Sequence, residues 1–286
     1  MKTILITGSS SGFGKLSVPL LLKQGHTVIA GLRGGQSRLA SVFGEVLSQY
    51  PGRLLALDIH MEKPESIEAA RQFIDSRFGG KLDVLINNAG YGLFGSLEDL
   101  EPAQLRAQME VNFFGPALLA RALLPALRLA RGRVINISSI AGLHSFPFYG
   151  AYSASKFALE GLSEGLYYDL RPHGVQVCLI EPGGFRTNFS KGSKIFASGP
   201  ADGSSPYHAR TEALKRAVEQ TSPRHGDPMR VARLIARYCD QTRIPLRRRI
   251  GVDAGALSFF NWLLPQRTGL YLTDLAFRLG VFRGAK

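Results

Sequence analysis

Tyr152 and Lys156 stand four residues apart in the run Tyr-Ser-Ala-Ser-Lys. On a helix, residues at that spacing share one face, so the phenol and the ammonium can reach the same bound molecule. A tyrosine at its ordinary pKa of about 10 exchanges protons poorly near neutrality, and a neighbouring cation lowers that value. The pair therefore suits proton transfer to or from a substrate oxygen; the plainer alternative is a surface pair on a helix. Tyr149 is a weaker candidate, because the residue four positions on is the uncharged Ser153.

A second cluster is Thr7-Gly8-Ser9-Ser10-Ser11-Gly12-Phe13-Gly14. It follows a short apolar run and opens an amphipathic stretch, the context that a dinucleotide-binding turn requires. Gly8, Gly12 and Gly14 allow a tight turn and close backbone approach, with Ser9, Ser10 and Phe13 between them. The free N–H groups and positive dipole of the helix start would face a pyrophosphate. Cofactor choice is read after the second apolar run, Val28-Ile29-Ala30-Gly31-Leu32-Arg33. An acid at its end would bind the ribose hydroxyls of NAD, but Leu32 stands there and Arg33 follows. A guanidinium donates two parallel bonds to a phosphate and stays charged. The expected cofactor is thus NADP(H), with Arg33 at the 2′-phosphate and the Ser9 and Ser10 hydroxyls helping. A simple surface role for Arg33 is the alternative.

These groups need elements to hold them. Apolar runs of strand length occur at 4–7, 26–31, 53–58, 82–87, 133–139 and 175–181. They lack polar alternation, as expected of parallel strands covered on both faces. Amphipathic stretches at 15–24, 64–78, 102–131 and 154–170 separate them. Strand–helix alternation predicts a single α/β domain over 1–286, a doubly wound parallel sheet of about seven strands with helices on both faces. Ligands in such sheets bind at the carboxyl ends of the strands. A Gly-, Ser- and Pro-rich stretch within 188–226 reads as a substrate lid. Residues 252–286 read as a helical extension, broken at Pro265, that packs on the domain or walls a pocket; contact with a membrane surface is the alternative.

Composition narrows the function. The chain of 286 residues is 45% hydrophobic and 20% charged, which excludes a disordered or low-complexity protein. No signal peptide and no apolar stretch long enough to span a bilayer is read, so the expected location is cytoplasmic. Cys178 and Cys239 lie far apart and read as buried thiols. The net charge is +13, densest at Arg247-Arg248-Arg249. No nucleic-acid-binding pattern accompanies it, and a solvated arginine-rich surface is expected. The six histidines show no ligand spacing, so no metal site is expected.

The glycine spacing Thr-Gly-x-x-x-Gly-x-Gly resembles that of the classical short-chain dehydrogenases/reductases. The extended, epimerase-like branch would want glycine where Ser11 stands. Ser139, Tyr152 and Lys156 match the family's Ser-x12-Tyr-x3-Lys, and Asn112 in Val111-Asn112-Phe113-Phe114-Gly115 matches its catalytic asparagine. Asn87-Asn88-Ala89-Gly90 is similar to the family's Asn-Asn-Ala-Gly. The resemblance implies that Asn88, Ala89 and Gly90 run beside the adenosine ribose and that Asp58, with Ile59, meets the adenine. It also implies that Pro182, Gly183 and Thr187, in Pro-Gly-x-x-x-Thr, support the nicotinamide. In the implied mechanism Tyr152 is the general acid, Ser139 binds the carbonyl oxygen, Lys156 lowers the phenol pKa and holds the nicotinamide ribose, and Asn112 anchors a water. Within the family, the 17-beta-hydroxysteroid and retinol dehydrogenase-like members look most similar. The expected activity is NADP(H)-dependent reduction of hydrophobic ketones or aldehydes, reversible to alcohol oxidation. Apolar, aromatic segments around Phe94, Phe146, Phe148, Phe185 and Phe189 support a steroid- or retinoid-like substrate. A homodimer or homotetramer is the expected assembly. The alternatives are a catalytically silent NADPH-binding sensor and a membrane-associated binding protein on the same fold.

Overall fold

β1 (Thr3–Thr7), β2 (Thr27–Leu32), β3 (Leu54–Asp58), β4 (Val84–Asn87), β6 (Arg133–Ile137), β7 (Gln176–Pro182) and β9 (Arg247–Ile250) form one sheet. Their order is β3-β2-β1-β4-β6-β7-β9, and every pairing is parallel. The structure, a computed structural model, describes residues 1–186, 194–197, 199–200, 203–219, 225–251, 254–255 and 263–280.

Side-chain alternation divides the sheet into two cores. In β1, Ile4 and Ile6 point to one face and Leu5 to the other, and all three are fully buried. The first face packs on α1 (Gly12–Lys23), α2 (Gly35–Gln49) and α8 (Met229–Asp240) through Val18, Leu21, Leu39, Phe43 and Ile235. The second packs on α3 (Pro64–Phe78), α5 (Gly115–Ala130) and α6 (Gly150–Leu170) through Ile67, Ile74, Leu119, Leu123 and Leu170. Burial on both faces is why the strands read as unbroken apolar runs. Crossovers lead outward from β1 in both directions, so the carboxyl ends of β1 and β4 border the crevice where the strand order reverses.

Two expectations change. The stretch 102–131 is not one helix: α4 (Pro102–Met109) and α5 are joined by a π-helical turn, Glu110–Phe114. By length and mean hydropathy alone the whole run from Pro102 to Ala130 could cross a membrane, although Arg106, Glu110, Arg121 and Arg128 interrupt its apolar residues. Its Leu119, Leu123 and Leu127 instead lie in the core beside α3. The arginine cluster at 247–249 is not simply solvated surface. It is the seventh strand, paired with β7, and Arg247 turns inward onto Glu160, Glu164 and Glu181.

The remaining described elements lie beyond the carboxyl edge. β5 (Gly92–Phe94) pairs in parallel with β8 (Lys194–Phe196), which brings the expected lid region onto the segment after β4. Also described are α7 (His208–Glu219) and α9 (Gln266–Gly280). α9 begins just after Pro265, where a helix break was expected, and His144 binds it, Nε2 to Thr273 Oγ1 at 3.0 Å.

Candidate active site

The turn after β1 is built by close contact. Gly8 has φ +64, and a Cβ on it would lie 2.7 Å from Ala89 Cα; one on Gly14 would lie 2.5 Å from the Gly8 carbonyl oxygen. Asn88 locks the two strand ends together: its Nδ2 donates to the carbonyls of Thr7 and Gly8 at 2.9 and 3.1 Å. α1 starts at Gly12 with no acidic residue in its first turn, and its N-cap residue Ser11 makes no side-chain bond to the helix start. Uncapped N–H groups on bare backbone fit a bound pyrophosphate.

From this turn a cavity of about 920 Å³ runs along the sheet edge. Gly8, Ser10, Gly12, Phe13, Arg33, Ile59, Asn88, Ala89 and Gly90 line it as expected. Pro182, Gly183, Ser139, Tyr152 and Lys156 line its other part. Three of the expected cofactor residues, Ser9, Gly14 and Asp58, are not among the residues that line the cavity. Ser9 is fully buried and its hydroxyl donates to the Gly31 carbonyl at 3.0 Å, so it faces the strand and not a phosphate. Gly14 provides helix clearance from behind the turn. The Asp58 carboxylate accepts from the Gly34 N–H at 2.8 Å, shaping the turn that carries Arg33. Thr187 and Phe189 lie outside the described residues.

A second guanidinium, Arg38 from the first turns of α2, also lines the cavity, and its stem folds over Gly34. Sequence reading missed it because α2 itself was not foreseen. Arg33 is largely exposed, with Glu62 3.9 Å away.

The reacting groups converge at the carboxyl end of β6. The Ser139 hydroxyl caps the following turn by accepting from the Ala141 N–H at 3.1 Å, and it is hydrogen-bonded to the Tyr152 hydroxyl. Lys156 Nζ donates to the Ile137 carbonyl at 2.9 Å and sits 5.9 Å from the centroid of the Tyr152 ring. Ser138 turns aside towards Glu160, whose charge it favours. Asn112 lies in the π-helical turn, a geometry frequent at functional sites. Its Nδ2 donates to the Tyr91 carbonyl at 2.9 Å and to Ser155 Oγ at 3.0 Å, and its Oδ1 accepts from the Tyr91 N–H at 3.1 Å. Asn112 thus pins the segment after β4 to α6 and does not itself line the cavity.

The expected lowering of the phenol pKa is not what the protein groups alone produce. Burial pushes Tyr152 up to about 12, against the hydrogen bond from Ser139, which lowers it. Burial also brings Lys156 down to about 8, partly opposed by Glu160. Near neutrality the phenol is protonated and the lysine mostly charged, an arrangement able to donate a proton to an oxygen in the cavity. Around Tyr152 the wall is apolar and aromatic: Phe94, Phe146, Tyr149 and Phe277 line it, with Lys194 from β8, while Phe185 lines the cavity beside Phe13. Phe148, expected among them, does not line the cavity but packs on the same Phe94–Tyr152 cluster and against Tyr207. No cluster of potential metal ligands occurs among the described residues.

The family model of the short chain dehydrogenases matches residues 2–195. The chain belongs to this family. A 3-ketodihydrosphingosine reductase from Bacteroides thetaiotaomicron is 36% identical over 250 residues, 87% of each chain. Bovine retinol dehydrogenase 8 is 34% identical over 258 residues, 87% of this chain and 81% of that one. Among solved structures, a short-chain dehydrogenase from Streptomyces avermitilis covers 100% of both chains with 35% identity and a TM-score of 0.79. A metagenomic short-chain oxidoreductase in complex with NADP has 28% identity and a TM-score of 0.68, over 87% of this chain and 96% of that one. The family match agrees with the motifs at 7–14, 87–90 and 139–156, and the match to retinol dehydrogenase 8 agrees with the likeness to retinol dehydrogenase-like members.

Proposed function

We propose that this short-chain dehydrogenase is an NADP(H)-dependent reductase of hydrophobic ketones or aldehydes, running in reverse as an alcohol dehydrogenase. The observation that carries the reading is the convergence of Ser139, Tyr152 and Lys156 on a cavity continuous with the glycine turn. Bound NADPH would supply a hydride to the carbonyl carbon. Gly8, Gly12 and the start of α1 would hold its pyrophosphate, Arg33 and Arg38 its 2′-phosphate, and Lys156 its nicotinamide ribose. Tyr152 gives its proton to the carbonyl oxygen as general acid. The Ser139 hydroxyl donates to the same oxygen as negative charge develops there. The Lys156 ammonium favours the phenolate that remains.

The pKa order supports reduction near neutral pH, because Tyr152 holds its proton there. The aromatic wall around Phe94, Phe146 and Tyr149 excludes water and favours a bulky apolar substrate. Relatives named for a keto compound and for retinol are consistent with that class. The test is NADPH oxidation with a panel of long-chain and polycyclic ketones. Tyr152→Phe is expected to lower turnover by about 10²–10⁴ while leaving NADPH binding in place. Undiminished turnover in that variant would remove Tyr152 from the role.

A further inference from the structure

Below the reacting groups lies a buried charge cluster that the proposed reaction does not use. Tyr152, Lys156, Glu160 and Glu164 follow one another at four-residue spacing along one face of α6. The stems of Lys156 and Glu160 meet over Gly142, where a Cβ would lie 3.0 Å from Glu160 Cγ, 3.2 Å from Lys156 Cβ and 2.9 Å from Ser138 Oγ. Arg247, reaching across from β9, contacts the Glu160 carboxylate, Glu164 Oε1 at 2.6 Å and Glu181 Oε1 at 3.0 Å. Arg249 closes the far side on Glu181 Oε2 at 3.2 Å. Glu181 is fully buried and Glu160 nearly so.

The charges in this cluster come from three elements. α6 supplies Lys156, Glu160 and Glu164, β7 supplies Glu181, and β9 supplies Arg247 and Arg249; Ser138, just past β6, adds a hydroxyl. Glu160 lies one helical turn behind Lys156, its stem against the lysine's and both side chains buried, so a carboxylate that Arg247 holds ionised there favours the charged lysine. An uncompensated buried charge is strongly unfavourable, which couples the lysine to the acid one turn behind it.

We propose that Glu160 is a positioning residue for Lys156: clamped by Arg247, its carboxylate keeps charged the lysine ammonium that the Ile137 carbonyl holds beside Tyr152. The proposal rests on the role given to Lys156 under the proposed function. Burial and electrostatics agree with it. Burial draws Lys156 down to about 8 and Glu160 opposes that fall. Burial raises Glu160 itself to about 7, with Arg247 and Ser138 opposing.

The direct test needs no cofactor. Protein carrying ¹³C at the lysine ε-carbons is titrated by NMR, with the Lys156 signal identified by its loss in Lys156→Arg. Glu160→Gln is expected to move the Lys156 transition to lower pH by about one unit. Arg247→Lys is expected to move it the same way by less, and it carries the test if Glu160→Gln does not fold. Glu164→Gln, at the exposed end of the cluster, is expected to leave the transition in place. Glu160→Asp should restore most of the wild-type value. In NADPH-dependent ketone reduction, the alkaline fall of kcat/KM should shift with the NMR transition. A Lys156 transition that is unmoved or raised in Glu160→Gln, or unmoved in Arg247→Lys, overturns the proposal. If the wild-type protein reduces no carbonyl compound but the transition shifts as stated, the reading of the reaction fails and the Glu160–Lys156 coupling stands.

Discussion

At the residue scale, two guanidiniums line the end of the cavity where the proposed NADPH would place its 2′-phosphate. Leu32 is buried at the end of β2, and Arg33 and Arg38 flank the Gly34 turn that Asp58 holds. An acid at position 32 would reach ribose hydroxyls and would repel a 2′-phosphate. The triple variant Leu32→Asp, Arg33→Ser, Arg38→Ser is therefore expected to move preference from NADPH towards NADH by at least about tenfold. That ratio corresponds to roughly 1.4 kcal/mol, within the range of a charge-assisted hydrogen bond. Ratios of kcat/KM for the two cofactors read it out, and an unchanged ratio would detach both arginines from the phosphate. Ser9 has no part in this prediction, because its hydroxyl is already spent on Gly31.

At the scale of elements, the π-helical turn between α4 and α5 sets where the segment after β4 runs. The extra residue in that turn aims the Asn112 amide at both polar groups of the Tyr91 backbone. Asn112 is almost fully buried and Tyr91 is partly buried. Asn112→Ala removes the bond to the Tyr91 N–H, at about 1–3 kcal/mol, while the Tyr91 carbonyl keeps its bond from Gln108 Nε2 at 3.0 Å. The urea midpoint should fall accordingly, and carbonyl reduction should weaken as the cavity wall at Gly90–Tyr91 shifts. A variant as stable as wild type would show that the turn does not depend on this amide.

At the scale of the whole molecule, α9 walls the cavity through Phe277 and is tied to the domain by His144 and Thr273. Burial holds His144 below its ordinary value, and His26, behind the sheet beside Asp240, is lowered for the same main reason. A histidine kept neutral in the fold and free to charge in the unfolded chain stabilises fully above about 6.5. That contribution is lost as pH falls towards the lower folded value. Glu160, raised to about 7, works in the opposite sense over the same window, because the folded form holds its proton longer. The informative quantity is thus a difference. The Tm advantage of wild type over His144→Gln should be larger at pH 7.5 than at pH 5.5. An advantage that is equal at the two pH values would mean that His144 does not titrate with unfolding.

The local sequence was enough to place β1, β2, β3, β4, β6 and β7, because strands buried on both faces must be continuously apolar, and that pattern survives without knowledge of neighbours. It also brought Gly8, Gly12, Ser139, Tyr152 and Lys156 to one edge, since parallel topology aligns the carboxyl ends of strands. Arg247 could not be read this way: three arginines in a row look solvated until Glu160 and Glu181, distant in the chain, supply buried partners. Arg38, Phe277 and the inward turn of Ser9 belong to the same class, being decided by contacts between elements. The protonation of Tyr152 and Lys156 was likewise open until their burial was known, because spacing supplies proximity while desolvation sets the energy of charge.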